Sequence, residues 1–165
     1  MIPRVIEMKR TINYKILLPA VLLPLLLGAL AAFLVKDGFQ LYSMLYKPLL
    51  SPPALLFPIV WFILYVLMGI ASYLVISSDA SLQRKKRALK LYALQLILNF
   101  LWPILFFGME MFGLALLCAL MLLTTVILCY VLFAHISDTA GLLLVPYIIW
   151  LLFAVYLNIG VILLN

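Results

Sequence analysis

Charge is scarce in this sequence: 10% of its 165 residues are Asp, Glu, Lys or Arg, against about 25% in an ordinary soluble domain. Hydrophobic residues make up 69%, and the mean hydropathy is +1.33. A chain of this length cannot bury that much apolar surface in one water-surrounded core. The composition excludes a soluble globular domain, a disordered chain and a nucleic-acid-binding domain. Most of these side chains require lipid as their solvent.

Other shortages exclude chemistry. There is one histidine, His135, and it lies near Asp138; one His with one Asp is not a metal site. The two cysteines, Cys118 and Cys129, fall within one apolar run and read as small buried hydrophobes rather than a disulfide. No HExxH, GxSxG or phosphate-binding glycine loop occurs. Acid–base and nucleophilic catalysis therefore have no groups to work with, and neither a catalytic nor a metal centre is expected.

What is present is five charge-free stretches: about Ile16–Val35, Leu55–Ile76, Leu91–Phe107, Phe112–Ala134 and Leu142–Leu164. Each approaches the roughly 20 residues that cross about 30 Å of hydrocarbon as a helix. None alternates as a barrel strand would. The expected fold is all-α, a single domain over residues 1–165 built as a bundle of five transmembrane helices. The first stretch carries Ala29-Leu30-Ala31 behind a basic segment, in the manner of a signal peptide. Its length and its prolines, Pro19 and Pro24, favour a retained helix.

The basic residues set an orientation. Arg4, Lys9, Arg10 and Lys15 precede the first span, and Arg84, Lys85, Lys86, Arg87 and Lys90 lie between the second and third; only Lys36 and Lys47 fall elsewhere. The positive-inside rule then puts the N-terminus in the cytoplasm and the C-terminus outside. The second loop, 77–88, reads as polar and basic. The first, 36–54, is the longest and holds Tyr42, Tyr46 and several prolines. It suits either a lid over one end of the bundle or a solvated linker.

No Asp, Glu, Lys, Arg or His interrupts the spans, which argues against a proton pump, an ion-coupled transporter or a voltage sensor. The spans carry uncharged polar groups and rings at helical spacing instead. Phe57, Trp61, Tyr65, Met68 and Ser72 share a face of the second. Tyr92, Gln95, Asn99, Trp102 and Phe106 do so on the third, and Tyr147, Trp150, Ala154 and Asn158 on the fifth. Amides in lipid must find hydrogen-bond partners, so these faces should turn inward. They either glue the bundle together or line a cavity for a flat, largely apolar ligand. Gly28-x-x-x-Ala32 and Ala115-x-x-x-Ala119 permit close helix approach, within the bundle or between copies. Pro103 should kink the third helix.

These motifs resemble a known family. Ser51-Pro52-Pro53 running into Trp61 and Tyr65, then Met68-Gly69-Ile70-Ala71-Ser72-Tyr73, is similar to the second-span signature of the TspO/translocator protein family. That family is also called tryptophan-rich sensory proteins or peripheral benzodiazepine receptors. Gln95, Asn99, Trp102 and Phe106-Phe107 match its third-span pattern, and Pro146-Tyr147, Trp150, Phe153-Ala154 and Tyr156-Leu157-Asn158 its fifth. The resemblance implies a five-helix bundle, commonly a homodimer, with a pocket under the first loop. The implied ligands are porphyrins and related tetrapyrroles, with isoquinoline or benzodiazepine drugs also bound. It implies Trp61, Tyr65, Asn99, Trp102, Trp150, Ala154 and Asn158 as pocket residues; Tyr147 joins them from its place on the fifth-span stripe. Rings of Trp61, Trp102 and Trp150 would stack on the ligand, and Lys36 or Lys47 would approach porphyrin carboxylates.

Two rival activities are compatible with the resemblance: light-driven porphyrin breakdown using Trp61 and Trp150, and transport of a lipid, sterol or porphyrin. The chain departs from the family pattern at Leu50 and Leu55, where tryptophan is frequent, and at Pro103, where a small polar residue is common. No Lys or Arg follows Tyr156, so the short sterol-type pattern is absent there. The expected location is a bacterial cell membrane, with the mitochondrial outer membrane as the alternative.

Overall fold

A computed structural model describes residues 12–165. Arg4, Lys9 and Arg10, used above for orientation, lie outside the described residues. Among the described residues, five helical segments are long and apolar enough to cross a membrane: Tyr14–Leu34, Leu56–Ile76, Leu82–Gly108, Phe112–Ala134 and Asp138–Leu164. The first of these is α1 and the second α3; between them lies a short helix, α2 (Gly38–Met44). The third comprises α4 (Leu82–Pro103) and a π-helical turn (Ile104–Gly108). The fourth is α5 (Phe112–Ala134), and the fifth comprises α6 (Asp138–Leu142) and α7 (Val145–Leu164). The five-span all-α reading therefore stands.

Several boundaries differ from the sequence expectation, and each has a local cause. The third span begins at Leu82 rather than near residue 91. The Ser81 hydroxyl accepts from the Arg84 N–H, a standard N-cap, and the Lys/Arg/Leu/Ala run behind it favours helix. The basic residues expected in a loop are thus the first turns of α4, because helix propensity does not stop where the hydrocarbon does. The fifth span is divided: Ser137 caps α6 through Ala140 N–H, and α7 restarts with Pro146 in its first turn, where a missing N–H costs nothing. Pro103 is followed by a π turn, closed by Met109 N–H donating to Ile104 C=O at 2.9 Å. The wider turn directly follows the residue whose N–H is missing from the helix ladder.

In the bundle, α1 packs along α3, α4 along α5 and α5 along α7, while α1 also meets α4. Rings of α3 and α7 close the circle, with Trp61 and Tyr147 centroids 5.9 Å apart. The order around the bundle is α1, α3, α7, α5, α4. Packing is dense in the half toward the α3 C-terminus, where Leu64, Met68, Val75, Leu122, Phe133, Tyr147 and Leu151 are buried together. Both residues of the Ala115/Ala119 pair are buried, against neighbouring helices of the same chain. Leucine, isoleucine and phenylalanine face outward, among them Leu18, Leu26, Phe33, Phe62, Ile97, Leu117, Ile149 and Leu152. An apolar exterior around an interior that holds the amides and most of the inward phenols is the arrangement lipid favours.

Candidate functional site

The half of the bundle under the first loop is not filled. A cavity of about 390 Å³ lies between α1, α3 and α4, within the range of small-molecule sites. Its α1 wall is made by Leu25, Gly28, Ala29, Ala31, Ala32 and Val35. Four small residues, Gly28, Ala29, Ala31 and Ala32, leave the space that longer side chains would occupy. The α3 wall is aromatic: Phe57, Trp61, Phe62 and Tyr65; Trp102, Pro103 and Phe107 form the third wall. Ala29, Ala32, Pro58 and Phe62 also lie on the exposed outer side of the bundle, so the cavity opens laterally between α1 and α3.

Asn99 is the one amide in the lining, and it anchors a hydrogen-bond chain. Tyr65 O–H donates to Asn99 Oδ1 at 2.8 Å, and Asn99 Nδ2 donates to Tyr147 Oη at 2.6 Å. Tyr147 in turn donates to Gln95 Oε1 at 3.2 Å, and Gln95 Nε2 lies 3.8 Å from Met68 Sδ. Three helices are joined in this way. The network uses one of the two N–H donors of Asn99. Beside it, Trp61 and Tyr65 stack with centroids 5.5 Å apart. Gly28 lies directly under that tyrosine: a Cβ there would come within 2.1 Å of Tyr65 Cε2.

The first loop is a lid rather than a loose linker. Tyr42 O–H donates to Pro52 C=O at 2.9 Å, closing the loop on itself. Tyr156 O–H donates to Leu49 C=O at 2.7 Å, and Asn165 exchanges two hydrogen bonds of 3.0 Å with the backbone of Tyr46. Pro48 sits on Gly160, where a Cβ would come within 2.3 Å of its ring. Gly38 and Tyr42 of α2 thereby roof the cavity. Burial raises the Tyr42 hydroxyl pKa above its ordinary value of 10.0, partly offset by hydrogen bonding with Ser51. Lys47 is committed to the loop, with Nζ 2.9 Å from Tyr42 C=O and 4.7 Å from its ring centre.

Of the residues named from sequence, Trp61, Tyr65, Asn99 and Trp102 line the cavity; Tyr147, Trp150, Ala154 and Asn158 do not. The fifth-span stripe faces inward as expected, but it lies behind a wall formed by Phe57 and Trp102. Ala154 and Asn158 border only a residual space of about 20 Å³ beneath Pro48 and Ser51. Asn158, 1% exposed, accepts from Trp102 Nε1 at 3.3 Å and donates to Phe112 C=O at 3.0 Å: here the amide is helix glue. Trp150 meets Phe57 edge-on at 5.8 Å, and its Nε1 is buried without a partner. The α1 wall was the part missed. Its signal in the sequence is the small residues at 28, 29, 31 and 32, of which the close-approach motif Gly28-x-x-x-Ala32 takes in only two.

His135 closes the end of α5, with Nδ1 2.6 Å from Val131 C=O. Among the described residues, no group of three or more His, Cys, Asp or Glu is placed to hold a metal.

Fold and cavity together define a polytopic membrane protein: five spans around an aromatic chamber with a tied-down lid. Residues 20–164 match the TspO/MBR family, and the chain belongs to that family. It is 38% identical over 135 residues to the tryptophan-rich protein TspO of Chlorobaculum tepidum, covering 82% of this chain and 85% of that one. It is 35% identical over 150 residues to the TspO of Archaeoglobus fulgidus, covering 90% and 96%. With the human translocator protein it shares 37% identity over 127 residues, covering 76% and 75%.

Proposed function

We propose that this protein binds a tetrapyrrole such as protoporphyrin in the cavity between α1, α3 and α4, to sense, sequester or move it. The observation that carries the reading is the composition of the chamber: indole and phenol rings on two walls, small residues on the third, and one amide at the base. A flat conjugated ring gains stacking and edge contacts from Trp61, Tyr65 and Trp102, each aromatic pair contributing about 0.5–1.5 kcal/mol beyond area burial. The free N–H of Asn99 fixes its orientation. Isoquinoline and benzodiazepine drugs fit the same description of flat, weakly polar rings. The lateral opening between α1 and α3 suits a ligand already dissolved in the bilayer.

The test is titration of the purified protein with protoporphyrin, read by tryptophan fluorescence. Saturable quenching is expected, with affinity reduced about tenfold in Trp61→Ala. Trp150→Phe should change affinity less than threefold, because Phe57 stands between that indole and the cavity. Absence of saturable quenching in the unaltered protein refutes the reading.

A further inference from the structure

The cavity lies at one end of the bundle; the charge lies at the other. Arg84, Lys85, Lys86, Arg87 and Lys90 occupy the opening turns of α4. Lys85 is already engaged, its Nζ donating to Ile76 C=O at 3.0 Å and tying α4 to the end of α3. Lys86, Arg87 and Lys90 are exposed and, with Leu82 and Gln83, line an open surface depression. Positions 83, 86, 87 and 90 share a helix face.

That face continues down the helix as Leu94, Ile97 and Leu101, all exposed and spaced four, three and four residues on from Lys90. From Leu82 to Gly108 the third span has 27 residues, about 40 Å of helix. Hydrocarbon accounts for about 30 Å of that. The basic turns therefore stand in the headgroup layer, and the leucine stripe runs into the acyl region. One helix face offers cations at headgroup depth and a continuous apolar track below them.

We propose that this face of α4 is a binding site for an acidic phospholipid. Its phosphate meets Lys86, Arg87 and Lys90, and an acyl chain lies along Leu94, Ile97 and Leu101. Charge complementarity selects this occupant over a second copy of the chain. Between Asp79 and Glu110 the sequence has no acidic residue, so two copies packed in parallel through this face would bring cations against cations. A lipid phosphate neutralises the same cluster.

The experiment uses the full chain in phosphatidylcholine bilayers, with spin-labelled phosphatidylglycerol or phosphatidylcholine as probe. The fraction of motionally restricted label is read for each. One cation near an anionic surface is worth about a fivefold preference, so the unaltered protein should favour phosphatidylglycerol at least about fivefold. The preference should fall severalfold in about 0.5 M salt, as screening requires. It should vanish in Lys86→Gln/Arg87→Gln/Lys90→Gln and survive in the charge-preserving Lys86→Arg/Arg87→Lys/Lys90→Arg. Lys15→Gln, on α1 at the same end, should leave it in place. Equal retention of the two lipids overturns the proposal, as does a preference indifferent to salt. So does a loss no greater in the triple variant than in Lys15→Gln. A change in the monomer–dimer ratio of the triple variant with lipid preference intact identifies a contact between copies and also overturns it.

Discussion

At the scale of single residues, glycines show most directly how closely this bundle is built. A Cβ at Gly69 would come within 2.5 Å of Val21 Cα and 2.8 Å of Ala20 O. Those are backbone atoms and cannot rotate aside. Gly69→Ala should therefore push α1 from α3 and cost about 1–2 kcal/mol, within the usual range for overpacking, despite the better helix propensity of alanine. Gly113 is the control, since a Cβ there meets nothing within 4 Å. Gly113→Ala should be neutral or slightly stabilising. Thermal unfolding of both variants in detergent checks the pair, and equal shifts would refute the close-approach account. Asn99 and Asn158 show the limit of reading single residues. Both are amides on inward stripes, and both are buried. One reaches a cavity and the other bonds to Trp102 and Phe112. Only the positions of their neighbours separate those roles.

At the scale of elements, the first loop carries the clearest consequence of the fold. It is held to α7 by side chains more than a hundred residues away, with Tyr156 on Leu49 and Asn165 on Tyr46. Asn165→Ala removes two of those bonds. Each is worth about 1 kcal/mol, so the Tyr46 amide should exchange its hydrogen at least about fivefold faster. Amides in α3 around Met68 should be unchanged. Hydrogen-exchange mass spectrometry measures both, and unaltered exchange at Tyr46 would show that the lid is held by other contacts. The loop's length and its tyrosines and prolines were legible in the sequence; its attachment was not, because the partners lie at the far end of the chain. Helix limits followed the same division. Charge-free runs located the spans, yet α4 begins nine residues before its run does, since Ser81 and the basic helix formers extend it into the headgroup layer.

At the scale of the whole molecule, orientation is the property that function depends on. With Lys15 and the five basic residues of the opening turns of α4 at one end, we propose that this end faces the cytoplasm and the lid faces outward. The native Cys118 and Cys129 are buried, so new cysteines report without interference. Arg87→Cys should resist a membrane-impermeant maleimide applied to intact cells, while Leu49→Cys, on the exposed lid, should react. The reverse pattern would invert the topology.

Composition alone determined that this chain lives in lipid, because no water-soluble packing hides so much apolar surface. The periodic placement of Trp61, Asn99 and Tyr147 determined which helix faces turn inward, because an amide or phenol in hydrocarbon must be paired. Three motifs in order pointed to the family. The tertiary structure decided where space remains. Gly28, Ala29, Ala31 and Ala32 open a chamber between α1, α3 and α4, while Phe57 and Trp102 close off the equally inward stripe of α7. Periodicity specifies direction within one helix, whereas a cavity depends on the side-chain volumes of several helices and on how closely their backbones approach.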